Sequence, residues 1–147
     1  MAARYLLDTN ILLRLAHHGD PAHGSIRKAI QQILAQAGDL FYSPQNIVEF
    51  WNVTTRPAAS NGFGLSIAEA EYQVRLIERG FTLLPDNERI HSVWRRLVND
   101  HGVHGRQVHD ARLVAAMYVH DVPNLLTLNR ADFIRYTGIA VIDPANA

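Results

Sequence analysis

The sequence predicts an α/β fold built on a parallel sheet, with helices on both faces. Three observations carry this. Short apolar segments rich in Leu, Ile, Val, Phe and Tyr recur along the chain: RYLL, DLFY, FTLL, NLLTL and IAVI. The segments between them have helical periodicity or helix caps. The two kinds alternate, which is the pattern of strands joined by helical crossovers. At 147 residues, the chain forms a single domain, residues 1–147, with enough length for a real core.

The elements follow in order. Arg4 to Leu7 is the first strand, and helix is expected at Asn10 to Leu15 and at about Gly24 to Ala37, with a loop near His17 to His23. Asp39 to Tyr42 is a short strand. Ser43-Pro44 then opens a helix, with Ser as N-cap and Pro at the first helical position. Pro57 disfavours helix at Arg56, so this helix ends at about Thr55. RPAASNGFG, residues 56–64, is small-residue-rich and is expected to be a mobile loop. Ser66, with Glu69 three residues on, has capping-box spacing; its helix runs to about Arg79 and stops at Gly80. Phe81 to Leu84 is a strand before Pro85. Asn87 to His101 is an amphipathic helix with Ile90, Val93, Trp94, Leu97 and Val98 on one face. Val108 to Val119 is a further helix, and Asn124 to Leu128 and Ile139 to Ile142 are the last strands.

Composition excludes several classes. The chain is 48% hydrophobic and 19% charged, as in ordinary globular proteins, and no apolar run is long enough to span a membrane. The start of the chain is not a secretory signal, and with no Cys there are no disulfides or thiolate metal sites. A cytoplasmic protein is expected. The net charge is zero, so no basic field announces a nucleic acid. Thirteen of the fourteen basic residues are Arg, which suits forked phosphate contacts, but a coding bias produces the same excess.

Three acids keep unusual company. Asp8 follows the apolar first strand, where a buried carboxylate costs several kcal/mol unless it is paired. Glu49 lies in a helix among Ile47, Val48, Phe50 and Trp51, and Asp110 lies near the start of the helix that buries Leu113, Val114 and Met117. Each has an ordinary explanation: Asp8 as a helix cap, Glu49 as a solvated helix acid, Asp110 as a complement to a helix dipole. Together they favour another. Functional groups of parallel sheets gather at the strands' carboxyl ends. Carboxylates brought close there repel, and some stay protonated unless a cation joins them. Mg²⁺ or Mn²⁺, hard ions that take oxygen ligands, fits that role. In LLTLNRADF, Thr127 and Asn129 are neutral oxygen donors after a strand, and Asp132 is a further acid.

LLDTNILL (6–13), NIVEFWNV (46–53), HDARLVAAM (109–117) and LLTLNRADF (125–133) resemble, in order, the four motif blocks of PIN domains, and within them the VapC-type toxins of bacterial toxin–antitoxin pairs. The resemblance spans nearly the whole chain. It implies a three-layer α/β/α sandwich with an acidic pocket at the sheet rim, and Mg²⁺- or Mn²⁺-dependent ribonuclease activity. Carried over, Asp8, Glu49 and Asp110 are the first three acids and the metal ligands, with Asn10 supporting Asp8. The fourth position is open between Asn129 and Asp132, because family members carry either an acid at the first or Asn followed by Asp-Phe. In that chemistry the ion activates a water for in-line attack on phosphorus, and Glu49 orients the water or completes the metal shell. Arg56, Arg106, Arg112 and Arg130 are candidates for contacts to flanking RNA phosphates. The resemblance also implies a homodimer and a small antitoxin that inserts a segment into the acidic groove; the helices at Ile26 to Leu34 and Ser66 to Ile77 are candidates for the apolar surfaces this needs, although amphipathic helices more often simply pack on the sheet.

Other readings fare worse. An aspartyl-phosphate enzyme would want an acid two residues after Asp8 and a late Lys; the chain has Asn10, and its only Lys is Lys28. No G-x-G-x-x-G follows the first strand. His101, His104 and His109 match no standard zinc spacing. A PIN fold that binds RNA or a partner without cutting it is the remaining alternative.

Overall fold

The computed structural model describes residues 2–147. Its elements are β1 (Arg4–Leu7), α1 (Thr9–Ala16), α2 (His23–Ala35), β2 (Asp39–Tyr42), α3 (Pro44–Thr55), α4 (Ile67–Gly80), β3 (Thr82–Leu83), α5 (Glu88–Asp100), α6 (Gln107–His120), β4 (Asn124–Leu126) and β5 (Ala140–Ile142). Three 3₁₀ turns join them, at Ala58–Ser60, Arg130–Asp132 and Pro144–Asn146. No helix among the described residues is long and apolar enough to cross a membrane.

The five strands order as β3-β2-β1-β4-β5, and every pairing is parallel. Successive strand residues face opposite sides, and the core divides accordingly. Leu6, Phe41 and Leu125 pack against Ile90, Leu97, Leu113, Val114 and Met117 of α5 and α6. Leu7, Leu40, Tyr42 and Leu126 pack against Ile11, Leu12, Ile26, Ile33, Phe50, Val74 and Ile77 of α1 to α4. The result is the expected three-layer α/β/α sandwich. Leu6, Leu7, Leu125 and Leu126 are wholly buried. Burial of each contributes about 1.5–3 kcal/mol.

The strand order positions the site. From β1 the chain steps outward to β2 and β3, then crosses to β4 on the other side of β1. The first crossovers run over the α1–α4 layer and the later one over the α5–α6 layer. Where the direction of travel reverses, the connections diverge and leave a crevice at the carboxyl ends of the two central strands. Here those strands are β1 and β4, followed directly by Asp8 and Thr127.

Several boundaries differ from expectation. The edge strand β3 is two residues, not four, because Pro85 has no N–H to extend the ladder beyond the bond from Leu84 N to Tyr42 O at 2.8 Å. Helix α2 ends at Ala35, since Ala37 turns left-handed at φ 59°. Gly80 does not stop α4 by a left-handed turn; it is the last helical residue, and Phe81 leaves extended into β3. Segment 56–64 is not a free loop. Phe63 N donates to Val53 O (3.1 Å), Gly64 N to Arg56 O (2.9 Å) and Leu65 N to Thr54 O (2.9 Å), folding it back on the end of α3. The fold-back requires Gly62, where a Cβ would lie 1.9 Å from Arg56 O.

Candidate active site

Asp8 occupies the junction between β1 and α1 with no intervening loop, as the N-cap of α1. It is 6% exposed, and three donors surround its carboxylate. Thr9 N donates to Oδ1 at 2.7 Å, Thr127 Oγ1 to Oδ2 at 2.8 Å, and Asn10 Nδ2 to Oδ2 at 3.3 Å. Asn10 also accepts from Leu128 N at 3.4 Å, so it ties α1 to the segment after β4. Thr127 is wholly buried and accepts in turn from Asn129 N at 3.0 Å.

Glu49 reaches the same rim from the second turn of α3. Thr9 Oγ1 donates to its Oε1 at 2.6 Å, and Gln45 Nε2 to its Oε2 at 3.1 Å. The Thr9 hydroxyl is itself set by Asn46 Nδ2 at 3.0 Å. Asn46 is the third helical residue of α3 and closes a capping box with Ser43. One local motif thus starts α3 and orients the hydroxyl that grips Glu49.

Asp110 lies in the first turn of α6 and forms no ion pair among the described residues. Burial pushes its carboxyl up to about 7, helped by the charges of Asp8, Asp132 and Glu49 and partly opposed by Arg106. Burial likewise raises Asp8 to about 6. The hydrogen bonds from Thr127 and Thr9 pull it back, while Glu49 and Asp132 push it up. Four carboxylates therefore share one field at the β1/β4 crevice. Carboxyls perturbed by burial and by one another mark a candidate functional site. Asp132, in the 3₁₀ turn after β4, contributes to this field, whereas Asn129 is exposed and meets the network through its backbone N–H.

The predicted arginines separate. Arg106 acts on Asp110, and Arg130 is exposed at the start of the Asp132 turn. Arg112 is engaged by Asp86 Oδ1 at 3.3 Å and Gln45 Oε1 at 3.3 Å. Arg56 is turned into the 56–64 segment, with Nη2 on Asn61 O at 3.3 Å and a buried Nε that has no partner. His101 stacks edge-on against Tyr136 and His104 turns to Gly102 O at 3.1 Å, and among the described residues His101, His104 and His109 form no metal-holding group. Sequence reasoning missed Thr9, Gln45 and Asn46. Asn46, three residues after the Ser43 cap, was the visible signal, because Asn can close a capping box as Glu or Gln does.

Hard oxygen ligands are the donor set a dication requires. Among the described residues no three His, Asp or Glu side chains stand close enough together to hold a metal ion, so Asp8, Glu49 and Asp110 do not form one ligand group as they stand. Mg²⁺ takes one or two carboxylates directly and keeps several waters, through which further acids act. A mostly apolar cavity of about 520 Å³ lies elsewhere, lined by α1, α2 and α4 residues including Leu12, His23, Tyr72 and Leu76, and holds none of these acids.

Removing the Thr127 hydroxyl tests the network. Thr127→Val keeps the buried volume but deletes the donor to Asp8, a bond to a charged group contributing about 1.5–3 kcal/mol. The Asp8 carboxyl is then expected to rise further, read as an upward shift in its ¹³C-detected NMR titration. An unmoved titration would show that the hydroxyl does not stabilise the charge.

Comparison with known proteins places this arrangement. Ribonuclease VapC48 of Mycobacterium tuberculosis is 27% identical over 143 residues, covering 93% of this chain and 94% of the relative. The crystal structure of VapBC2 from Rickettsia felis, bound to a promoter DNA fragment, superposes with a TM-score of 0.70 at 12% identity, covering 95% of this chain and 97% of that one. VapC20 of Mycobacterium tuberculosis, described as a sarcin–ricin-loop-cleaving toxin, superposes with a TM-score of 0.60 at 16% identity, covering 82% and 86%. The two structures share the fold. The PIN domain family model matches residues 5–139, from β1 to the approach to β5, and takes in every acid of the crevice: this chain belongs to the PIN domain family.

Proposed function

We propose that this protein is a divalent-metal-dependent endoribonuclease and the toxin of a toxin–antitoxin pair. One observation carries the reading: four carboxylates share one field, two of them are raised well above the usual range, and among the described residues none of the four forms an ion pair. Such a cluster is relieved by a dication. Family membership and the similarity to Ribonuclease VapC48 support the same conclusion.

In this reading Asp8, Asp110 and Glu49 hold Mg²⁺ or Mn²⁺, and Asp132 is the fourth acid. The bound ion supplies Lewis-acid activation of water and of the phosphodiester. The chain's own residues do the rest. Thr127, Asn10 and Thr9 N fix the Asp8 oxygens, and Thr9 Oγ1 with Gln45 fixes the Glu49 oxygens. Each Glu49 oxygen keeps a lone pair free, with which Glu49 orients the attacking water. Arg106 and Arg130, exposed beside the acids, receive flanking phosphates.

The antitoxin docks on α2 and α4. The exposed Leu34, Ile67, Tyr72 and Leu76 there support this, and the cavity that Tyr72 and Leu76 line admits an apolar side chain. The homodimer rests on the family resemblance, and the cytoplasmic setting on a chain with no Cys and no apolar run long enough to span a membrane.

The test is cleavage of structured RNA in Mg²⁺ and in EDTA, by wild type and Asp8→Asn. Cleavage by wild type in Mg²⁺ alone is expected. Equal silence of both proteins across many RNAs would favour an RNA- or partner-binding PIN domain that does not cut.

A further inference from the structure

We propose that Gln45, held by Arg112 and Asp86, is a positioning residue that locks the Glu49 carboxylate in register with the Asp110 turn of α6. The inference rests on the metal-site reading above and extends it to residues outside the four acids.

The Gln45 carboxamide is the second helical residue of α3, and its polar groups are all engaged. Nε2 donates to Glu49 Oε2 at 3.1 Å and to His109 O at 2.7 Å. Oε1 accepts from Arg112 Nη1 at 3.3 Å. Flipping the amide would set its oxygen against two acceptors and its NH₂ against a guanidinium, so the partners dictate one orientation. Arg112 is restrained in turn by Asp86, 3.3 Å away in the β3–α5 connection.

The two ends of this strut belong to different layers. Phe50 of α3 packs on one face of the sheet, and Leu113, Val114 and Met117 of α6 pack on the other. Gln45 therefore crosses the carboxyl edge of the sheet. It bonds the carbonyl of the residue just before Asp110 and the carboxylate of Glu49 with the two hydrogens of one nitrogen. The separation of these acids is then set by a single planar group. Partners that orient metal-binding side chains typically change metal affinity or activity 10–100-fold when removed. Arg112 is thereby committed to orienting Gln45 and not to an RNA phosphate.

The experiment titrates Mn²⁺ alone into the full RNA-free chain by calorimetry. Wild type, Gln45→Met, Arg112→Met, Arg112→Lys, the Gln45→Met/Arg112→Met double variant and Asp110→Asn are compared. Gln45→Met is expected to weaken Mn²⁺ about tenfold while still melting cooperatively. Arg112→Met should weaken it less, and Arg112→Lys, which retains a donor to Oε1, should return towards wild type. The double variant should bind no more weakly than Gln45→Met, because Arg112 acts through Gln45. Arg112 is over a third exposed, so its variants carry the test even if Gln45→Met folds poorly. Wild-type Mn²⁺ affinity in Gln45→Met, with binding lost in Asp110→Asn, would overturn the strut and leave the site reading intact. Equal binding by wild type and Asp110→Asn would overturn both. Additive losses in the double variant would overturn the relay. So would unchanged Mn²⁺ affinity in Arg112→Met with weaker, less salt-dependent binding of a fluorescein-labelled stem-loop RNA, the behaviour of a phosphate contact.

Discussion

Asp110→Asn is expected to abolish metal-dependent RNA cleavage while making the metal-free protein more stable. The two effects have one cause. The Asp110 carboxyl is pushed up to about 7 by burial and by Asp8, Asp132 and Glu49; Arg106 opposes this only in part, and among the described residues no ion pair compensates. At pH 8 the native chain keeps it ionised against that resistance. Asparagine is nearly the same size and removes the charge. After allowance for solvent on its open side, the stabilisation is about 1–2 kcal/mol. For a chain of this length that raises the melting temperature by about 3–8 °C. The same change removes a ligand oxygen from the dication, and a loss of about a thousandfold in cleavage is expected. Differential scanning calorimetry in EDTA and a labelled-RNA cleavage assay in Mg²⁺ check the two halves. A destabilised Asp110→Asn would show that Asp110 serves the fold.

The second expected result is that the metal-free protein loses stability as pH rises from about 4 to about 7, and that Mg²⁺ restores it. The sign follows from linkage. Asp8 and Asp110 have raised native values, about 6 and about 7, against 3.8 for the unfolded chain. Below pH 3.8 both states are protonated and neither acid contributes a penalty. Above it the unfolded chain releases protons that the native chain retains, so the native state binds more protons and stability falls. For Asp8 alone the loss amounts to about 3 kcal/mol. Asp20 and Glu69 have lowered values and act in the opposite sense, losing their contribution as pH falls through a more acidic range. Melting in EDTA at pH 5 and pH 8 measures the loss. A dication binding only the native state stabilises it by mass action, most where the acids are ionised. A melting temperature that climbs from pH 5 to pH 8 in EDTA, and does so equally in Asp8→Asn, would refute the account.

Much of this was legible in the residues. Ser43-Pro44 and Ser66 with Glu69 started α3 and α4 where they were expected, because capping is local chemistry between residues three apart. Apolar runs located all five strands, and β1 and β2 to the residue. The strand Phe81 to Leu84 was overdrawn, since an apolar run does not reveal how far an edge strand finds partners. Segment 56–64 looked mobile by composition, but its order comes from bonds back to Val53 and Thr54, which composition does not encode. Asp8, Glu49 and Asp110 stood out because acids are costly among apolar neighbours.

The sequence by itself determined the strand and helix segments, the helix starts, and which acids needed an explanation, because each follows from residues near one another along the chain. Only the tertiary structure decided the strand order that joins β1 to β4, and with it the meeting of Asp8 with Thr127 across 119 positions. It alone gave Thr9, Gln45 and Asn46 their roles and moved Arg56 and Arg112 to other partners. Short polar side chains bond whatever the fold brings within about 3 Å. What that will be depends on the face of the sheet each crossover takes, which the residues beside them do not specify.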